Sequence, residues 1–217
     1  MSTSLSLTQS RVAGDAPRRG RRSPHLPGLH HWWPGGVLGV AIVSALFVVV
    51  SDMRPSYYGF GFLVWGRQVL HWNLNTDGAP SWKPLPFLFT LPYAVAGRGQ
   101  MWLWMGTAVA GATAGSVFAA RVAFRLTGAG GDRSERRYAP YVAGAFAGIT
   151  VLGINTYMHL VLIANSDPLI VAVCLAAIDC HLARRHKLAF LMLVLASLGR
   201  PEAWVFAGLY GLWAFWK

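Results

Sequence analysis

The residues of this chain that could do chemistry are a few charges placed where long uncharged runs end. Asp52 and Arg54 follow the uncharged run Val37 to Val50 and open onto "SYYGFGF"; Asp167 stands in "NSDP" and Arg200 and Glu202 in "GRPE", each between two apolar stretches. A carboxylate in such a place can take a proton from a hydroxyl. A cation can hold a phosphate, Arg through two parallel bonds and Lys as a point charge. Each charge alone is also what a helix end in water looks like. Ionisable groups at membrane depth, however, are costly and usually line a polar pathway or site.

The elements that must position these groups follow from composition. The 217 residues are 54% hydrophobic and only 12% charged, against about 25% charged in an ordinary soluble domain. The net charge of +11 does not indicate nucleic acid, because the cations sit in short clusters between uncharged stretches rather than along one face. That spacing predicts an all-α polytopic membrane protein with about six membrane segments. Cys174 and Cys180, the only cysteines, are six apart in one apolar segment and read as packing residues.

Residues 1–31, with "RRGRR" at Arg18 to Arg22, lack apolar periodicity and are expected to form a disordered basic cytoplasmic tail. His30, His31, Trp32 and Trp33 then look like an interfacial anchor. Residues 32–217 form the membrane domain. Spans are expected over Trp32 to Ser51, Met101 to Ala120, Ala139 to Ile163 and Pro168 to Ala183. The first offers no small-x-small cleavage site and should be retained. The second carries Gly106, Ala108, Ala110, Gly111, Ala112, Ala114 and Gly115, which suit close helix contacts. Leu188 to Ser197 and Ala203 to Trp216 are too short for ordinary spans, and Gly199 and Pro201 rule out one straight helix. They read as a hairpin turning at Gly199 to Glu202.

With the N-terminus inside, fourteen of the nineteen cations fall on inner segments, and Arg54, Arg67, Lys83, Arg98 and Arg200 remain outside. This bias predicts a multi-pass plasma-membrane protein with a cytoplasmic N-terminus. Asp52, Asp167, Arg200 and Glu202 then share the outer face. The outer loop from Asp52 to Gln100 is itself apolar. Phe62, Trp65, Val69 and Trp72 fall on one side of a helix, and Arg67, Gln68 and His71 on the other, a pattern that predicts an interfacial amphipathic helix. In "DGAPSWKPLPFLFTLPY", Pro80, Pro84, Pro86 and Pro92 are expected to break helix, leaving Trp82, Phe87, Phe89 and Tyr93 to dip into the bilayer.

An acid at the outer end of the first span, a long outer loop with the Pro-rich "WKPLP", and a later "RPE" turn together resemble the membrane glycosyltransferases of the GT-C fold. The resemblance spans about residues 36–217 in order and topology. It implies transfer of a sugar from a polyprenyl-phosphate donor to a glycan, lipid or protein acceptor hydroxyl on the extracytoplasmic face, with inversion. It maps the first-loop catalytic carboxylate onto Asp52 and the donor-contacting positions onto Arg200 and Glu202. Lys83 joins Arg200 as a candidate for the donor phosphate, and Asp167 as a further substrate-binding residue. Met53 and Arg54, rather than a second acid, follow Asp52, so neither a bound divalent metal nor another cofactor is expected. Members of the family are longer, and the chain reads as the N-terminal part of a larger enzyme.

The competing reading is a non-catalytic membrane protein, a transporter fragment or an assembly scaffold. A transporter would show an inverted repeat with broken helices in matching positions, and no such repeat is visible. "GFGFLVWG" and "GAGGD" are glycine-rich but follow no strand, so they are not dinucleotide loops.

Overall fold

The computed structural model describes residues 33–75, 77, 83–129 and 138–216. The expected tail over 1–31, Trp32, Pro80, Trp82, the loop cations Arg133, Arg136 and Arg137, and Lys217 lie outside the described residues. Within them the chain is all-helical: α1 Trp33–Val50, α2 Tyr57–Leu70, α3 Pro84–Tyr93, a 3-10 turn Ala94–Gly99, α4 Gln100–Ala129, α5 Ala139–Gly153, α6 Asn155–Leu162, α7 Asp167–Leu182, α8 His186–Gly199 and α9 Ala203–Trp216.

Helix α4 is the post against which α1, α5 and α7 pack, and its small residues explain how. Ala108, Gly111, Ala112, Gly115 and Ala119 recur every three or four positions and are all buried. A Cβ at Gly111 would stand 3.1 Å from the Leu169 backbone nitrogen, so α7 lies almost against the α4 backbone. On another face α5 makes the same approach through Gly144 and Gly148, and Ser116 Oγ donates to the Gly148 carbonyl at 2.8 Å. Close backbone approach of this kind lets helices bind where an apolar solvent supplies no hydrophobic drive. Of the seven small residues expected at contacts, Gly106 faces open space and the burial falls on the 3.6-residue stripe.

By length and composition, Pro84–Gly128 is the one helical run among the described residues able to cross a membrane. The pair α5 and α6 is a second candidate if counted as one span, and α1, α8 and α9 are shorter apolar helices. The span expected over Ala139 to Ile163 is not straight: it breaks at Ile154, where the backbone turns extended, and α5 and α6 meet at 61°. Asn155 opens the new helix, a residue whose side chain competes with helix interiors and suits helix starts. The bend lets α6 put Tyr157 and Val161 into the core instead of continuing past it.

Two expectations for the outer loop are corrected. The apolar face of α2 does not lie on lipid: Phe62, Leu63 and Trp65 are buried inside the protein, with the Phe62 ring 5.9 Å from that of Trp104. Trp72 does not belong to that face at all. It follows the end of α2 with a φ of 54° and its residue is 96% exposed. Similarly, Pro84 and Pro86 start α3 rather than break it, since proline is tolerated in a first turn whose N–H groups have no helical partner. Phe87 and Phe89 pack against the core instead of reaching outward. The two helices cross so tightly that a Cβ at Gly66 would stand 2.6 Å from the Thr90 carbonyl oxygen.

Helices α8 and α9 form the hairpin that Pro201 demands. Trp204 Nε1 donates to the Ser197 carbonyl at 2.6 Å near the turn, and a Cβ at Gly211 would meet the Phe190 ring at 3.1 Å farther along.

Candidate functional site

Antiparallel packing gives the bundle two ends, and the site residues expected from sequence are at one of them. Its floor is the cluster of Val48, Met53, Phe62, Trp65, Trp104 and Ala164. Trp104 Nε1 donates to the Ala164 carbonyl at 2.9 Å, and the Ser56 N–H donates to the Ile163 carbonyl at 2.8 Å. The first bond ties α4, and the second the segment after Asp52, to the turn that leads into α7. The same turn presents Asp167, the first residue of that helix, three residues after Ala164.

Asp167 is mostly buried and ion-paired to Arg200, which stands in the α8 to α9 turn and is about half exposed. The hydrogen bond to Asp167, followed by the charge of that carboxylate, raises the Arg200 pKa above its ordinary value. Desolvation opposes this, and nearby Glu202 adds to it. What brings the turn here is Gly199. A Cβ at that position would come within 2.7 Å of Ile170 and 3.0 Å of Leu85, so only glycine lets the turn settle between α7 and α3. Leu85 lies two residues after Lys83, which is the residue capping α3. Asp167, Arg200 and Glu202 therefore meet at one turn, and the start of α3, which Lys83 precedes, packs against that turn through Leu85.

Asp52 is at the same end but in different company. Its carboxylate pairs with Arg54 at 3.3 Å, and the two side chains are 84% and 82% exposed. Asp52 is an open, charge-balanced acid, held in place by its buried neighbour Met53. Among the described residues no three His, Cys, Asp or Glu side chains are grouped as a metal ion would need. Searches of family models, curated proteins and solved structures found no match.

The other end holds residues that the sequence reading passed over. Asp179, 4% exposed, accepts from Arg121 Nε at 3.1 Å, Arg121 Nη2 at 2.9 Å and Arg125 Nε at 2.7 Å. Beside it, Tyr210 Oη lies 3.0 Å from His181 Nδ1 and 3.2 Å from His186 Nδ1, joining α9 to α7 and α8. The signal for the first cluster was present: an aspartate inside the apolar "LAAIDCHL", and two arginines four apart on α4. A lone acid in an apolar helix needs a partner, and i, i+4 cations on one neighbouring face could supply it.

Proposed function

We propose that this chain is the helical membrane part of a glycosyltransferase that uses a polyprenyl-phosphate sugar and works at the end carrying Asp52 and Arg200. The observation that carries the reading is the pairing of Asp167 with Arg200 at the α8 to α9 turn, with Glu202 in that turn, the start of α3 after Lys83 packed against it, and Asp52 on the adjoining segment. Membrane residence is supported by the apolar faces that α1, α5 and α9 leave uncovered, such as Leu46 and Val49, Phe146 and Ile149, and Phe206 and Leu209. Monomeric soluble proteins rarely expose contiguous apolar patches beyond a few hundred Å². In this reading α1, α4, the bent α5 and α6, α7, and the α8 to α9 hairpin make up six membrane segments. The cation bias supports an orientation with the N-terminus in the cytoplasm and the Asp52 end outside.

In the proposed reaction the Asp52 carboxylate takes the proton of the acceptor hydroxyl. The hydroxyl oxygen then bonds to the anomeric carbon as the bond from that carbon to the phosphate oxygen breaks, and the polyprenyl phosphate leaves with the electron pair. Arg200 and Lys83 stabilise the phosphate charge, while Asp167 fixes the Arg200 fork. An exposed carboxylate suits this role in one respect, because an acceptor arriving from water reaches it without a gate. In membranes containing the full-length protein, Asp52→Asn is expected to insert normally and bind the lipid-linked donor, yet lose about 10² to 10⁴ in transfer rate. Transfer near the wild-type rate would remove Asp52 from the mechanism.

A further inference from the structure

The charge cluster at the opposite end has more donors than its carboxylate can use. Asp179 engages Nε and Nη2 of Arg121 and Nε of Arg125. Among the described residues, Arg121 Nη1 and both Nη groups of Arg125 have no acceptor. Both side chains are partly exposed, so these N–H groups reach solvent. Arg185, exposed in the turn from α7 to α8, donates its backbone N–H at 2.9 Å to the carbonyl of Cys180, the residue after Asp179, which puts it at the same end of the bundle as Arg121 and Arg125. Arg184 and Lys187 stand beside Arg185, so that among the described residues this end of α4, α7 and α8 carries five cations to one carboxylate.

One carboxylate against two guanidiniums leaves a net positive charge fixed in a semi-buried position, with planar N–H forks already aimed by Asp179. Such forks match the oxygens of a phosphate. The apolar faces of α1, α5 and α9 run the length of the same bundle, so an acyl chain seated on them would bring its headgroup to this level. We infer that Arg121, Arg125 and Arg185 form a binding site for the phosphate of an anionic phospholipid headgroup, with Asp179 as the residue that positions the two α4 arginines. The inference rests on the membrane part of the proposed function and not on glycosyl transfer. It makes this end a lipid-anchored base for the bundle while the other end is left to the substrate.

The test is lipid retention. The full-length protein is placed in nanodiscs of phosphatidylcholine containing a minor share of phosphatidylglycerol, and the lipids that stay bound are weighed by native mass spectrometry. Phosphatidylglycerol should be enriched over its share, and Arg185→Gln, which leaves Asp179 untouched, should cut the enrichment by about five-fold, the worth of one cation near an anionic surface. Asp179→Asn, which takes away the carboxylate that aims the two α4 forks, should lower it as well even though it removes a negative charge; enrichment unchanged or raised in that variant would overturn the positioning role of Asp179. No enrichment in the wild type, or enrichment untouched by Arg185→Gln and by Arg121→Gln with Arg125→Gln, would overturn the site. Inorganic phosphate displacing the lipid at equal concentration would also overturn it, in favour of a free-anion site. Protein that inserts without enrichment defeats this inference alone, whereas protein that an alkaline carbonate wash strips from membranes defeats the membrane reading as well.

Discussion

The two ends of the bundle both carry an aspartate paired with arginine, and they differ in what surrounds the pair. Asp52 and Arg54 are neighbours on one segment in open water. Asp179 is buried between helices, and its arginines come from another helix more than fifty residues away. An exposed pair gains little, because water screens it and both side chains surrender entropy to hold one geometry. A buried carboxylate is different: it has given up hydration, and without its partners the cost is uncompensated. The Asp179 cluster is thus an element of the fold, and Asp52 is an acid with free access to whatever arrives. The Asp167 and Arg200 pair lies between these limits, anchored on its acid side and open on its cation side.

The comparison can be broken most directly at Asp179. Replacing Arg121 and Arg125 together with glutamine should lower stability in detergent by about 3 to 5 kcal/mol, read from the shift in thermal or denaturant unfolding. A loss no larger than that of a surface substitution would show that the carboxylate finds other solvation. Next in size is Gly199→Ala. Forcing a methyl against Ile170 and Leu85 should cost about 1 to 3 kcal/mol and displace the turn that carries Arg200. Donor binding should therefore fall along with stability.

Arg200→Lys isolates the charge from the geometry. The ammonium keeps the pair with Asp167 but cannot bind phosphate bidentately, so donor affinity should weaken by about ten-fold with stability little changed, the scale of one charge-assisted bond. Unchanged donor affinity would leave Arg200 as a structural partner of Asp167 only. Trp104→Phe removes the bond to the Ala164 carbonyl while keeping the ring near Phe62, for an expected loss of about 1 kcal/mol. The smallest effect is expected from Arg54→Gln, whose unfolding midpoint should match the wild type within error. A clear destabilisation there would erase the distinction between the two ends.

Several parts of this architecture were legible from local pattern. Pro201 beside Gly199 reads as a turn, and α8 and α9 fold back at it. Small residues at helical spacing read as a close contact, and α4 meets α7 and α5 through them. The meeting of Asp167 with Arg200 followed from topology, because helices of alternating direction return their connecting turns to the same end.

What the sequence by itself determined is the helical class, the ends of most helices and the gathering of charges at helix ends. These depend on apolar runs, breakers and cation clusters, all of which act within a few residues. Only the tertiary structure decided what covers each apolar face. The stripe on α2 is the same whether lipid or protein lies against it, and it is Trp104, forty residues on, that takes up Phe62. The bend at Ile154 was hidden for a related reason: its gain is the burial of Tyr157 and Val161 in a core built by other segments. Likewise, periodicity could not show that Asp179 would be buried between Arg121 and Arg125 while Asp52 stayed in water. Burial is a property of neighbours brought together by the fold, and for a charged group it is burial that separates a strut from an accessible acid.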